Sequence, residues 1–535
     1  MRLSRRSVVA GMAGGAALGG CGLLDEPPMP GTLGGADFTR GHRLREGRFP
    51  VFSDERSAQI LIVGGGIAGL SAAWALAEAG ISDFRLLELE DSTGGNARSG
   101  RNAVSAYPLG AHYLPLPNAE AVAVIRLLER LRLITGWQGG KPVYDPYALV
   151  SDPDERMLHL GKWQEGLVPS TGLSASDSHD LAAFFAAMRN FRDHVGKDGK
   201  PAFALPMALS SHDPELLALD RLSFAQWLDA QGWRSPILRT HVRYCCRDDY
   251  GTEPHQVSAW AGIHYFASRR GLAANTDPDT VLTWPEGNGH LAHALARRVR
   301  GQIAPGQIVH AVKAEGGVMV DSYDVATKRT IRWHGSAAIL ATPRFVTARL
   351  LPPCSAEHFA YAPWLTAAVT LDRLPAGPGA QLAWDNVSWT SDSLGYVVNT
   401  HQSLSSVPGP TVLTWYLPLS EPAPADARRI MLKRSLAEWQ AIIEADILQT
   451  NPDLKGAIRR IDPWRWGHAM IRPEPGFFFS GAREAAARPQ PPIFFAHSDL
   501  SGLSLFEEAN YRGTLAAEGA MTHLGIDHSS LLAPL

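Results

Sequence analysis

A glycine turn set between two apolar, β-type stretches constrains this chain more than any other feature. Residues 59–89, QILIVGGGIAGLSAAWALAEAGISDFRLLEL, run from a strand-like segment through the turn into a helix of small residues and out into a second strand. Such a βαβ unit implies an α/β class with a Rossmann-like domain. Gly64, Gly66 and Gly69 fit the pattern G-x-G-x-x-G. The first permits the tight turn, the second lets backbone approach a pyrophosphate, and the third allows close helix-to-strand packing. Gly65, Ile67 and Ala68 complete the turn and open the helix, whose unpaired N–H groups and positive dipole end face the phosphates. Glu88 ends the second strand, where a carboxylate accepts hydrogen bonds from ribose hydroxyls and disfavours a 2′-phosphate. A turn kept for packing alone, with Glu88 a solvated strand end, is the alternative.

The remaining composition narrows the class. A chain of 535 residues holds two to four domain equivalents, and its 45% hydrophobic content excludes disorder over most of its length. Lys+Arg 50 against Asp+Glu 53 gives a net charge of -3, which leaves no electrostatic footprint for nucleic acid. Four cysteines, Cys21, Cys245, Cys246 and Cys354, are too few and too badly spaced for a disulfide framework or a zinc site, so no metal is expected. Adjacent Cys245 and Cys246 read as buried thiols rather than a redox pair.

Residues 1–21 read as an address. Arg2, Arg5 and Arg6 precede a short apolar stretch, SRRSVVA resembles a twin-arginine signal, and Leu18-Gly19-Gly20-Cys21 resembles a lipobox. These imply passage through the twin-arginine export machinery and a periplasmic or extracytoplasmic location, with a lipid anchor at Cys21. An ordinary cleaved signal, with Cys21 lost, and a chance basic start on a cytosolic enzyme are the alternatives. Residues 22–56, rich in proline and glycine, read as a tether.

Immediately after Glu88 comes EDSTGGNARSG, and here the chain resembles the flavin-containing amine oxidase and phytoene desaturase superfamily. The Gly94-Gly95 pair matches the family's second loop against the FAD diphosphate; Asn96 stands where the family usually has arginine, leaving Arg98 as the nearest cation. Phosphate contact and a surface role are both open for Arg98. At the other end, IFFAHSDLSGLSLFEEANYRG resembles the family's last motif. That resemblance implies that Asp499 meets the ribityl and diphosphate region, and that Leu505 and Phe506 bring backbone N–H groups to the flavin ring. His497 stands where the family often has glycine.

The resemblance also implies a layout. An FAD-binding domain is expected over 57–118, 281–350 and 488–535, interleaved with an α+β substrate domain over 119–280 and 351–487. Gly110, Ala111, His112 and Tyr113 match the segment passing the flavin ring, and Val309 the position whose backbone meets the adenine. His112 and Tyr113 are candidate catalytic residues, as are Trp464, Trp466 and His468 in WRWGHAMIRP, where many amine oxidases carry an aromatic pair before the flavin. Structural histidine, core valine and core aromatics are the competing readings. The strand expected to carry a lysine near the flavin reads LTAAVTLD and has none, which weakens simple amine oxidation. Three functions therefore stand: an exported FAD oxidoreductase acting on a C–N or C–C bond, a desaturase or isomerase of an apolar lipid-like substrate, and a flavin-bearing assembly partner without turnover.

Overall fold

The computed structural model describes residues 28–352, 354–405 and 407–535. The signal and lipobox lie outside the described residues. A five-stranded parallel sheet forms the first core, in the order Ile303–Ala304, Phe84–Leu87, Ile60–Val63, Ala337–Leu340, Ile493–Phe495. Its strands ILIV, AAIL and IFF are buried throughout, as a parallel sheet covered on both faces requires. Alternation divides them: Ile60 and Ile62 join the helices on one face, while Leu61 and Val63 join a four-stranded layer on the other. That layer is the antiparallel meander Gln307–Ala314, Val318–Asp324 and Arg329–Gly335, extended by Asp54–Ser57.

The helical face pairs Ile67–Glu78 with the C-terminal helix Phe506–His523. Their approach depends on glycine: a Cβ at position 513 would lie 2.1 Å from the carbonyl oxygen of Ala68. The helix Val122–Arg130 and residues onward to Leu149 also belong to this core. The sequence boundary at 118 therefore falls too early, because an amphipathic helix alone does not reveal which layer it covers.

The second core is an eight-stranded sheet in the order Gly34–Gly35, Ile458–Ile471, Tyr361–Leu371, Thr411–Pro418, Tyr396–Val398, Asp385–Ser388, Glu155–His159, Lys162–Glu165. One face packs Leu365, Ala367, Val369, Leu413 and Trp415 against Trp439 and Ile443 of the helix Leu436–Thr450. The other carries Trp364, Tyr416, Trp384 and Trp466. A lobe of helices, including Ala175–Asp193, Pro236–Tyr250 and Ala259–Ala267, has its own aromatic core. Cys245 and Cys246 are buried and unbridged in it.

Residues 28–57, read as part of a tether, lie instead along the body. Gly34 and Gly35 pair with Trp464 and Arg465, the helix Phe38–Glu46 follows, and Asp54–Ser57 joins the meander. The glycines serve close approach rather than flexibility, since a Cβ on Gly34 would meet the Trp464 ring at 2.2 Å. Among the described residues no helix is long and apolar enough to cross a membrane.

Candidate functional site

The two glycine loops foreseen in the sequence come together. Gly64 holds φ +102°, and a Cβ on it would lie 2.6 Å from the Ala341 carbonyl oxygen, so the turn is restricted to glycine. Gly94 donates to the Gly65 carbonyl at 2.8 Å, and Gly66 and Gly94 form a parallel bridge. A Cβ on Gly95 would stand 3.2 Å from the Gly66 Cα. Gly66 caps the helix Ile67–Glu78 without any side-chain acceptor, leaving the first-turn N–H groups for an anion. Gly69 meets the turn itself, its missing Cβ falling 1.9 Å from the Gly64 carbonyl oxygen.

Glu88 is buried at the edge of this cradle. Its Oε2 accepts from Gly65 N–H at 2.5 Å and its Oε1 from Glu90 N–H at 2.8 Å. Each oxygen keeps acceptor capacity, as two ribose hydroxyls require. Burial raises its pKa, and the two backbone donors oppose that rise. The Gln307 N–H donates to the Glu88 carbonyl, and Val309, two residues on, is buried in the same strand.

Asp499 lies at the carboxyl ends of the same sheet. Its neighbour Ala496 donates to Leu340 across the strand pair, and Asp499 Oδ2 accepts from Arg344 N–H at 2.7 Å and Tyr361 Oη–H at 2.5 Å. Burial alone would raise its pKa, but His497, Tyr361 and the Arg344 N–H together hold it below the ordinary carboxylate value. Oδ1 lies 3.0 Å from His497 Nδ1, and the residue is only 1% exposed. A buried carboxylate with one oxygen contacted only by a histidine ring nitrogen keeps acceptor capacity, which fits the ribityl hydroxyls of FAD. Leu505 caps the C-terminal helix, again without a side-chain acceptor, and Phe506 begins it.

Asn96, in the place where arginine was expected, ties the two domains. Its carbonyl accepts from Ala111 N–H at 3.0 Å, its Nδ2 donates to Ala469 O, and a Cβ on Gly110 would strike its carbonyl oxygen at 2.4 Å. Arg98 pairs with Glu90 at 3.3 Å and lies 5.3 Å from the ring centres of both Trp464 and Trp466. Its placement is therefore against the tryptophans, beside a cavity of about 280 Å³ that Trp464, Asp462 and Tyr107 help to line.

Trp464 and Trp466 share a face of their strand, and Trp466 Nε1 donates to Leu109 O at 2.6 Å. His468 does not join them. A bulge between Ala362 and Trp364 shifts the register, and His468 stacks instead on Phe345 at 4.3 Å. Burial there lowers its pKa to about 3.

His112 and Tyr113 do reach an aromatic group, with partners that sequence reasoning missed. His112 stacks on Tyr416 at 4.6 Å and lies 5.6 Å from Trp384, while Tyr113 meets Trp384 edge-on at 5.9 Å. Burial lowers His112 to about 4, so it is neutral at neutral pH. Beside this box Glu155, Asp248 and Asp385 lie within one another's electrostatic reach, largely enclosed by protein but not fully buried. Burial and mutual repulsion raise Glu155 and Asp248 to about 7 and Asp385 well above its ordinary value. Arg269 lies within reach of Tyr113 Oη at 3.4 Å and pairs with Asp249 at 3.3 Å.

Comparison with known proteins agrees with this geometry. The family model of the NAD(P)-binding Rossmann-like domain matches residues 62–131. A flavin-containing amine oxidase of Oncorhynchus mykiss is 22% identical over 294 residues, 54% of this chain and 51% of that protein, so the match spans about half the relative's length. Putrescine oxidase bound to putrescine superposes with TM-score 0.64 at 16% identity, covering 88% of this chain and 100% of that one. The chain has the two-domain fold of the flavin-containing amine oxidases. Cyclohexylamine oxidase from Brevibacterium oxydans shares this amine-oxidase fold, with TM-score 0.61 at 16% identity over 88% of this chain and 99% of its own.

Proposed function

We propose that this chain is an exported, FAD-dependent oxidoreductase that oxidises an amine at its C–N bond. The observation that carries this reading is the aromatic box of His112, Tyr113, Trp384 and Tyr416 set beside the enclosed carboxylates of Asp248 and Asp385. Aromatic faces and carboxylates recognise a cationic nitrogen and its alkyl stem, and they exclude a wholly apolar lipid by the cost of leaving carboxylates against it. FAD would be held by Gly64–Gly69, Glu88, Gly94, Gly95, Asp499 and the first turn of the C-terminal helix. Bound there, it supplies a two-electron acceptor for the hydride of a substrate C–H bond.

The chain's own residues prepare that transfer. The box positions the α-carbon and displaces water, which matters because orientation at about 3–3.5 Å governs the rate. His112, neutral through burial, adds no positive charge to repel an arriving ammonium. Tyr416 contributes its ring face to the box, stacked on His112 at 4.6 Å. The carboxylates, held near neutrality in pKa, take the proton that an arriving ammonium must lose before its lone pair assists C–H cleavage.

Anaerobic mixing of the FAD-loaded protein with alkylamines should bleach the flavin band, whereas polyenes should not; bleaching by polyenes alone would replace this reading with the desaturase. Export rests on SRRSVVA and on Cys21 in its lipobox. Labelled palmitate should enter the wild-type chain and be lost in Cys21→Ala; a labelled variant would remove the anchor.

A further inference from the structure

The helix Phe38–Glu46 has two sides that meet different surroundings. One side turns Arg40 to Asp91, lays Arg43 over the Tyr323 ring at 4.1 Å and packs Leu44 against the core below the meander. Phe38, His42 and Arg45, spaced i, i+4 and i+7, fall on the opposite side. Phe38 is 45% exposed, and Arg45 is exposed as well.

A second helix stands beside it. Pro424–Lys433 buries Ala427 and Met431 and leaves Arg429, Leu432 and Lys433 exposed. Its Arg428 donates to the Tyr361 carbonyl oxygen at 3.2 Å, and a Cβ on Gly467 would lie 3.7 Å from the same side chain. Two positions earlier on that strand, the Arg465 guanidinium lies 5.7 Å from the Phe38 ring centre. The two helices thus flank one short stretch of the strand Ile458–Ile471, and Arg45 and Arg428 both act on His468 there.

Charge and apolar surface coincide on this face. Arg429 pairs with Asp426, but Arg45, Arg428 and Lys433 form no salt bridge among the described residues. Leu432 is 40% exposed. Scattered exposed apolar residues are ordinary, whereas apolar residues set among unpaired cations suit the boundary between lipid headgroups and acyl chains. The whole chain carries a net charge of -3, so attraction to an anionic surface has to be local.

The start of the described chain lies at the same place. The Met29 and Pro30 carbonyl oxygens accept from Gln440 on the helix Leu436–Thr450, which directly follows Pro424–Lys433. Cys21, outside the described residues, precedes Pro28 by seven positions, a reach of about 25 Å at most. One acyl chain holds a protein only marginally, and a basic patch is an effective second contact.

We propose, resting on the export reading above for the membrane itself, that the helices Phe38–Glu46 and Pro424–Lys433 form a face that docks on an anionic lipid bilayer. Arg45, Arg428 and Lys433 meet headgroup phosphates, while Phe38 and Leu432 enter the layer between them. The acylated cysteine tethers the molecule and this face fixes how it lies.

The test uses the full, FAD-loaded chain carrying Cys21→Ala, so that no acyl chain contributes. Flotation with vesicles of phosphatidylcholine alone is compared with vesicles holding an equal amount of phosphatidylglycerol. Binding to the anionic vesicles should be at least roughly ten-fold tighter at low salt and should fall steeply as salt rises. Arg45→Glu and Lys433→Glu should each weaken it by roughly five-fold or more, since each reversal withdraws a cation and adds an anion. Phe38→Ser should weaken it at every salt concentration. Lys197→Glu, an equal charge change on an exposed lysine of the helical lobe, should leave it unaltered. Leader arginines are common to all samples, so the differences among variants read the face, and unchanged flavin absorbance certifies each fold. Should one reversal fail to load FAD, the other carries the test. Equal binding to both vesicle types, or losses no larger than that of Lys197→Glu, would overturn the docking face. Palmitate labelling of Cys21 is read separately, so failure of the export reading and failure of this face are told apart.

Discussion

Asp499 keeps acceptor capacity on one of its oxygens. Its Oδ2 is held by Arg344 N–H and Tyr361, while Oδ1 has only His497 Nδ1 beside it at 3.0 Å. Asp499→Asn keeps the shape and removes the charge. Losing a charge-assisted hydrogen bond of about 1.5–3 kcal/mol should weaken FAD retention roughly ten- to hundred-fold, measured by equilibrium dialysis against free FAD. A variant that retains FAD like the wild type would detach Asp499 from the cofactor. The enclosed acids make a second residue-scale prediction. Glu155, Asp248 and Glu507, each raised to about 7, bind protons more tightly folded than unfolded. Their contribution to stability is full below the unfolded carboxylate value and is lost as pH rises through about 7. His112, His241 and His264, lowered to about 4 by burial, act oppositely and lose stability only as pH falls below 6.5. Ligand-free protein should therefore melt at a lower temperature at pH 8 than at pH 6.5, and Asp385→Asn should flatten that difference by removing the neighbouring charge. A melting temperature that rises over this interval would show that the carboxylates are already ionised.

At the scale of elements, what was legible in the chain follows from how locally each feature is encoded. The glycine turn is visible because a pyrophosphate against a helix N-terminus demands missing side chains at fixed spacing. The C-terminal block is legible for the same reason, and Gly513 within it shows why its helix must approach the helix Ile67–Glu78. Gly513→Ala should force these helices apart, costing about 1–3 kcal/mol as overpacking and lowering FAD occupancy, read by thermal unfolding and the flavin-to-protein absorbance ratio. Unaltered occupancy would mean that the helix pair adjusts without disturbing the cradle. The acid cluster was not legible, because Glu155, Asp248 and Asp385 come from two strands and a helix far apart in the chain, and only the folded chain sets Glu155 opposite Asp385 and brings the helix beside them. His468 was misread for a related reason: a bulge turns it away from the face its spacing suggests. Trp384 and Tyr416 carried no local signal, since a strand reading TVLTWYLP does not reveal which of its aromatic side chains faces a ligand.

For the whole molecule, residues 28–57 join what the rest of the chain leaves apart. Thr32 bonds Asp462, Gly34 and Gly35 pair with Trp464 and Arg465 at the edge of the eight-stranded sheet, and Asp37 N–H donates to Glu90 at 2.8 Å. Arg40 then bonds Asp91 and the Leu89 carbonyl just past the ribose acid, before Asp54–Ser57 closes the edge of the meander. A strap fixed to both sheets restrains their relative motion, and it also covers edges that would otherwise present unpaired backbone groups. A chain beginning at residue 58 should keep both cores, which lose only the partly buried Met29, Leu33, Ala36 and Leu44 that pack against them from the strap. Its strand Ile458–Ile471 would lose a paired edge, and Trp464, the partner of Arg98, would lose the glycines that cover its ring. The expected outcome is a lower melting temperature, faster proteolysis near residues 458–471 and easier loss of FAD, with the circular dichroism spectrum little changed. Identical proteolysis and FAD retention in the shortened chain would show that the two sheets hold their arrangement through direct bonds such as those of Asn96, Trp466 and Thr366, with the strap merely lying across them.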